Sequence, residues 1–225
     1  MINDILTSRY FVRDDSIMDS IKFNELVFEI KNRGWWSRVY EYKWMVDVAT
    51  CYFKGSFDNK NSLDVATGIQ HPGMFILKLL GFQNVVGTDI FNDVDFLYRK
   101  NIVDGMAYIR DDILNPKLPT KFDFITCISF LEHLPPENQD CALINMLNYL
   151  KDDGCIALTF DMPGYEYKTN VEMYKTVLRE NGMEYIEVDV NNSDIMTTRD
   201  CKNVSKDLYD LNLSCYRIFA KKGML

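Results

Sequence analysis

The chain has 225 residues, 47% of them apolar and 26% charged, and carries a net charge of −8. That balance belongs to a soluble globular protein with one well-buried domain and excludes a disordered chain; the excess acid reads as a solvated surface, and nothing advertises a binder of phosphate backbones. The cysteines Cys51, Cys127, Cys141, Cys155, Cys201 and Cys215 are dispersed, with no Cys-x-x-Cys pair and no nearby histidine, which argues against a zinc site and against a disulfide framework.

The amino end, "MINDILTSRYFVRDDS", carries charge too early for a secretory signal, and no later run is long enough to span a bilayer, so a reduced, cytoplasmic protein is expected. Residues 35–53 then place Trp35, Val39, Tyr42, Val46, Ala49 and Phe53 at steps of four and three, one face of a helix. Short apolar runs follow, alternating with helical patterns: "SLDVA" (62–66), "NVVGTDI" (84–90), "MAYIR" (106–110), "FDFITCISF" (122–130) and "CIALTF" (155–160). The clearest helix is 136–151, with Pro136 at its start, a stripe of Leu143, Met146, Leu147 and Leu150, and Gly154 past its end. A further helix is predicted from about Thr169, which stands with Glu172 at capping-box spacing. Strands are predicted again at 183–190 and 213–222, while 190–212 shows no readable pattern. Strands alternating with helices imply a parallel sheet covered on both faces, with ligands bound beyond the carboxyl ends of its strands.

The stretch just past the first strand, "LDVATGIQHPG" (63–73), has the outline of a nucleotide loop but the wrong glycines for a dinucleotide. G-x-G-x-x-G supplies a turn, an approach to pyrophosphate and a helix contact, whereas here Gly68 and Gly73 stand five apart, with Ala66 where a first glycine would fall. What remains is Asp64 in the strand, small residues after it, and Asp89 ending the next strand, about 20 residues on, where an acid grips ribose hydroxyls. A plain turn with a surface aspartate produces the same pattern.

The later strand ends narrow the choice. With "DVATG", "GTDI", "RDDILNPKLPTKFD", "SFLEHLPP" and "LNYLKDDGCIALTF" in this order, residues 60–162 resemble class I S-adenosylmethionine-dependent methyltransferases. The resemblance implies an α/β, Rossmann-like, seven-stranded and mostly parallel sheet with helices on both faces and an antiparallel last strand, for which "LSCYRIFAKK" is the candidate. It also implies S-adenosyl-L-methionine as cofactor, with S-adenosyl-L-homocysteine as product. Asp64, Ala66, Thr67 and Gly68 would meet the cofactor's amino acid end, Asp89 its ribose, and Asp112, favoured over Asp111, its adenine amino group, with Ile90 and Ile113 also in the cofactor site. Ser129 and Glu132 would complete the cofactor site after the fourth strand. The sequence departs from the family pattern at Ala66 and Gln70, where glycine is commoner, and at the "HPG" that follows.

Residues 36–44, "WSRVYEYKW", are similar to a helix that precedes the cofactor loop in methyltransferases of glycan and natural-product clusters. One reading sets this helix over the site, with Arg38, Glu41 or Tyr42 touching cofactor or acceptor. The other makes it a cap whose aromatics are core and whose Arg–Glu pair is a surface pair. The expected organisation is a helical cap segment, 1–57, on a methyltransferase core, 58–225. Both histidines, His71 and His133, fall beyond strand ends and are candidate bases; Tyr165 and Tyr167, with Trp35 or Trp36, are candidate walls of an acceptor pocket. Asp161 alone is too little for a metal site. Nucleic acid is disfavoured as acceptor, since the sequence lacks the Asn-Pro-Pro-Tyr-like and Pro-Cys motifs of members that methylate it. The function expected is methyl transfer by in-line displacement to a small-molecule or sugar-linked acceptor, at oxygen. A protein that binds the cofactor without transferring methyl, as partner or sensor, is the alternative; a nicotinamide oxidoreductase is a third reading, disfavoured by the glycine spacing.

Overall fold

The structure, a computed structural model, describes residues 37–68, 73–91, 105–164, 167, 169–188, 206, 210 and 213–223. Its elements in chain order are helix α1 (Arg38–Tyr52), β1 (Asn61–Val65), α2 (Gly73–Leu79), β2 (Asn84–Asp89), β3 (Met106–Arg110), β4 (Phe122–Ile128), α3 (Pro136–Asn148), β5 (Leu150–Met162), α4 (Val171–Glu180), β6 (Met183–Val188) and β7 (Ser214–Lys222). Seven strands form one sheet in the order β3-β2-β1-β4-β5-β7-β6. β1 pairs in parallel with β2 and β4, β2 with β3, and β4 with β5, whereas β7 runs antiparallel between β5 and β6. The α/β class and the antiparallel last strand expected from the sequence are thus both present. Among the described residues no helix is long and apolar enough to cross a membrane.

Helices cover both faces, so the central strands are apolar on both sides. All seven residues of β4 are buried; Phe124 joins Phe53, Phe57 and Phe82 in the core under α1 and α2, while Ile125 and Cys127 pack in the core under α3 and α4. The ring of Phe82 stacks on that of Phe124 with centroids 5.8 Å apart. At the amino ends of the strands, the buried Asp123 carboxylate accepts from the Asn61 N–H at 2.8 Å and from the ammonium groups of Lys151 at 2.7 Å and Lys60 at 3.3 Å. Burial alone would push this carboxyl up, but those donors outweigh it and hold it below the usual carboxylate range.

Three local readings are corrected. The buried face of α1 is turned from the expected stripe toward Glu41, Met45 and Val48, although Tyr42 and Ala49 are buried as expected. The helix expected over 136–151 ends at Asn148, and Gly154 lies inside β5. There β5 bulges: Leu150 is opposite Phe122 but Cys155 is opposite Phe124, so 151–154 loop out before the register resumes. The cap of α4 is Asn170, whose side chain accepts from the Met173 N–H at 3.1 Å; the Thr169 hydroxyl instead donates to the Asp161 carbonyl at 2.9 Å. Asparagine is as good a cap as threonine, and Thr169 is already committed to holding the chain after β5.

Candidate cofactor and active site

The segments that follow β1, β2, β3 and β4 converge on one cavity of about 910 Å³. It lies where an open α/β sheet binds its ligands, at the switch in strand order between β1 and β4.

The turn after β1 is built from two left-handed residues, Ala66 at φ 53° and Gly68 at φ 70°. A side chain at such a φ costs about 1–2 kcal/mol, which is the physical reason glycine suits position 66. The Thr67 N–H donates to the Thr88 carbonyl at 2.9 Å and the Gly68 N–H to Asp89 Oδ2 at 2.8 Å, so the turn is tied to the end of β2. Ala66 and Gly68 line the cavity; Thr67 is buried beneath them.

Asp64 does not line the cavity. Its carboxyl is buried, accepting from Thr67 Oγ1 at 2.6 Å and Thr126 Oγ1 at 2.7 Å. Burial pushes it up to about 6 against those hydroxyls, with Asp89 adding to the rise and the Met74 N–H opposing it. The sign follows from the unfolded value of about 3.9. Between about pH 4 and the folded value of about 6, native Asp64 keeps a proton that the unfolded chain has released, so stability falls as pH rises through that window. Asp64→Asn is expected to remove a fall of up to about 3 kcal/mol. Chemical denaturation of both proteins at pH 4.5 and pH 7 checks this, and an unchanged pH dependence would refute it.

Asp89 closes the middle of the cavity. Oδ2 takes the Gly68 N–H and Oδ1 a long 3.4 Å bond from the Phe91 N–H, leaving acceptor capacity on both oxygens. Beside it Ile90 and Phe91, at 60% and 48% exposed, present apolar surface on the cavity wall. After β3, Asp111, Asp112 and the buried Ile113 supply another wall. Asp111 is committed to the protein, accepting from the Lys117 N–H at 3.1 Å and the Tyr149 hydroxyl at 3.0 Å. Asp112 accepts from the Leu114 N–H at 3.0 Å and Asn115 Nδ2 at 3.1 Å, closing a turn of its own.

After β4 the chain turns sharply at Ser129, φ 44°. Its N–H donates to the Thr159 carbonyl at 2.9 Å and to Thr159 Oγ1 at 3.1 Å, and its hydroxyl donates to Glu41 Oε1. His133 follows on the cavity wall and is exposed. Glu132, 1% exposed, is turned into the protein, where its Oε1 accepts from the Asp161 N–H at 3.1 Å. Burial and then the neighbouring Asp161 push its carboxyl well above the usual range.

From α1, Arg38 reaches the cavity wall and Glu41 stands behind it, while Tyr42 is core. The Arg38–Glu41 pair is 2.6 Å apart with the carboxylate fully buried, which rules out the surface-pair reading. Tyr167 lies off the cavity, 39% exposed. Trp35, Trp36, Gln70, His71 and Tyr165 lie outside the described residues. Sequence reasoning missed Val65, Thr88, Phe91, Leu114, Phe130 and Leu134 as walls. Each adjoins a residue it did find, so a wider window around the strand ends would have caught them.

Residues 63–158 match the family described as a methyltransferase domain. Among solved structures the chain is similar to the YcgJ protein of Bacillus subtilis, with 13% identity over 83% of this chain and 99% of that one and a TM-score of 0.61. It is similar to magnesium protoporphyrin IX methyltransferase of Synechocystis PCC 6803, solved with bound S-adenosylhomocysteine, with 16% identity over 93% and 100% and a TM-score of 0.60. The N-methyltransferase NodS of Bradyrhizobium japonicum WM9, also in complex with S-adenosylhomocysteine, has 16% identity over 79% and 87% and a TM-score of 0.53. At such identities the likeness establishes the fold. No curated protein sequence is significantly similar to this one.

Proposed function

We propose that this chain, whose residues 63–158 match the family described as a methyltransferase domain, is an S-adenosylmethionine-dependent methyltransferase that methylates a hydroxyl of a small-molecule or sugar-linked acceptor. One observation carries the cofactor half of this reading: Asp89, with spare acceptor capacity, stands beside the 60%-exposed Ile90 in a cavity at the carboxyl ends of the strands. A carboxylate with free lone pairs suits the two hydroxyls of a ribose, and exposed apolar surface on a concave wall suits a flat base. Ile113 adds a second apolar contact for that base and Asp112 an acceptor for its amino group. Ala66 and Gly68 let a ligand approach the backbone closely.

When bound, the cofactor supplies an electrophilic methyl group on its sulfonium. The protein's own tasks are to align the acceptor behind that methyl and to exclude water, worth on the order of 7–11 kcal/mol. His133, exposed on the cavity wall, is the group we assign to take the proton of the acceptor hydroxyl, a contribution of about 10²–10⁴-fold.

The test is release of S-adenosylhomocysteine from wild type and His133→Ala across a panel of small alcohols, phenols and sugar derivatives. Wild type is expected to turn over with at least one class, and His133→Ala to lose about 10²-fold or more in kcat with cofactor affinity unchanged. Equal kcat in the two proteins removes His133 as base. Tight cofactor binding with no turnover on any acceptor favours the partner or sensor reading instead.

A further inference from the structure

Glu41 lies at the centre of the most densely bonded polar site among the described residues, and the cofactor contacts proposed above do not require it. Its carboxylate is fully buried and takes four side-chain donors: Ser37 Oγ at 2.9 Å, Arg38 Nη1 at 2.6 Å, Thr159 Oγ1 at 2.5 Å and Ser129 Oγ. The last two come from the carboxyl ends of β5 and β4, 118 and 88 residues along the chain. Ser129 is held for this at a left-handed φ of 44°, its N–H locked onto Thr159. Strain of that kind persists where the surroundings over-determine it.

What the network holds is Arg38. One end of its guanidinium is bound to Glu41, its Nε is buried with no hydrogen-bond partner among the described residues, and its side chain, 11% exposed, lines the cavity. Burial pulls against the charge, but Glu41, Tyr42 and Glu132 outweigh it and keep the cation firmly protonated. Its place along the cavity is informative. Asp112 and Ile113 stand after β3, Asp89 after β2, Gly68 after β1, and Arg38 is anchored over β4 and β5, across β1 from β2 and β3. With an adenosine over β2 and β3, the rest of the cavity, lined after β1 and β4 and by Arg38, is the space left for its 5′ chain.

We propose that Arg38 receives the carboxylate at the end of the cofactor's amino acid chain and that Glu41 is the positioning residue that fixes Arg38 there. The inference rests on the methyltransferase reading. A guanidinium bound on one side by a carboxylate still has N–H groups for a second anion, and a rigid mount spares the ligand the cost of ordering a long side chain.

The experiment compares two ligands by calorimetry: S-adenosylhomocysteine and 5′-methylthioadenosine, which has the same nucleoside and no amino acid chain. Wild type is expected to prefer the former. Arg38→Met is expected to lose about 10- to 100-fold in S-adenosylhomocysteine affinity, with methylthioadenosine within about twofold of wild type. Glu41→Gln is expected to shift the same ligand in the same direction by a smaller factor. Arg38→Lys should restore part of the preference. Retained methylthioadenosine binding doubles as the check that each variant is folded. Should Glu41→Gln fail to fold, Thr159→Val removes one donor from the network and is expected to erode the same preference. Equal weakening of both ligands would show a purely structural ion pair and overturn the proposal. Unchanged S-adenosylhomocysteine affinity with a raised acceptor KM would give Arg38 to an acceptor anion and overturn it too. Wild type binding neither ligand would instead sink the methyltransferase reading.

Discussion

Asp89→Ala is expected to weaken S-adenosylmethionine binding by about 10²–10³-fold while leaving the protein folded. The carboxylate is the acceptor we place under both ribose hydroxyls, and hydrogen bonds to a charged group are worth about 1.5–3 kcal/mol each. Its structural duties are light: one 2.8 Å bond from the Gly68 N–H and one 3.4 Å bond from the Phe91 N–H. Both donors border the cavity, where water replaces the lost acceptor, so the melting temperature should shift by only a few degrees. Asp89→Asn, which keeps an acceptor and loses the charge, should fall between. Calorimetric titration decides, with NAD as the control that neither protein should bind. If wild type, stripped of carried-over cofactor, takes up no S-adenosylmethionine, the assignment of the cavity fails; if Asp89→Ala binds as wild type does, the ribose lies elsewhere.

Gly73→Ala is expected to damage fold and site together. A β-carbon at this first residue of α2 would stand 2.3 Å from Asp64 Oδ2 and 2.8 Å from its Cγ. Asp64 has no free direction to retreat, since Thr67 and Thr126 hold its two oxygens from opposite sides. Relief requires either that α2 move or that those bonds break, so overpacking of about 1–3 kcal/mol adds to lost hydrogen bonds of about 1 kcal/mol each. We expect a destabilisation of about 3–4 kcal/mol in urea unfolding, and weakened cofactor binding because Thr67 belongs to the cavity turn. Gly55→Ala is the control: it has nothing within 4 Å and only a left-handed φ of 70°, so about 1 kcal/mol is expected and no effect on binding. Equal losses in the two variants would show that conformation, not the Asp64 contact, sets the cost.

These expectations also mark how far the sequence could be read. Alternation of strand and helix patterns placed every strand of the sheet within a few residues, because a strand buried on both faces writes a continuous apolar run. Asp89 was legible for the same reason, being the polar residue at the end of such a run. The bulge that extends β5 back to Leu150 was not, since "KDDG" carries the polarity of a turn and the pairing of Leu150 with Phe122 is set by a neighbouring strand. Glu41 was legible only in part: the resemblance of its helix left it either touching cofactor or acceptor or standing in a surface pair, and neither reading foresaw its burial. Charge on a helix reads as a solvent-facing residue by periodicity, and the hydroxyls that make its burial tolerable come from Ser129 and Thr159, far along the chain. Short-range patterns hold no record of such partners. Asp64, likewise, looked like a ligand-facing acid and is a buried link between β1, β4 and α2.

The position of β7 has a consequence for how the protein is made. Among the described residues β6 finds its sheet partner only in β7, and β7 pairs with β5 across a separation of more than 50 residues. During synthesis, β1 to β5 can assemble in parallel, but β5 then presents a bare edge of unpaired N–H and carbonyl groups, with Leu158 and Phe160 beside it, until residues 214–222 emerge. Sheet completion is therefore a late, long-range event that tells against fast folding. A nascent chain stalled before Ser214 would be a template for strand exchange between ribosomes, and the interval before β7 arrives is when a holding chaperone would matter most.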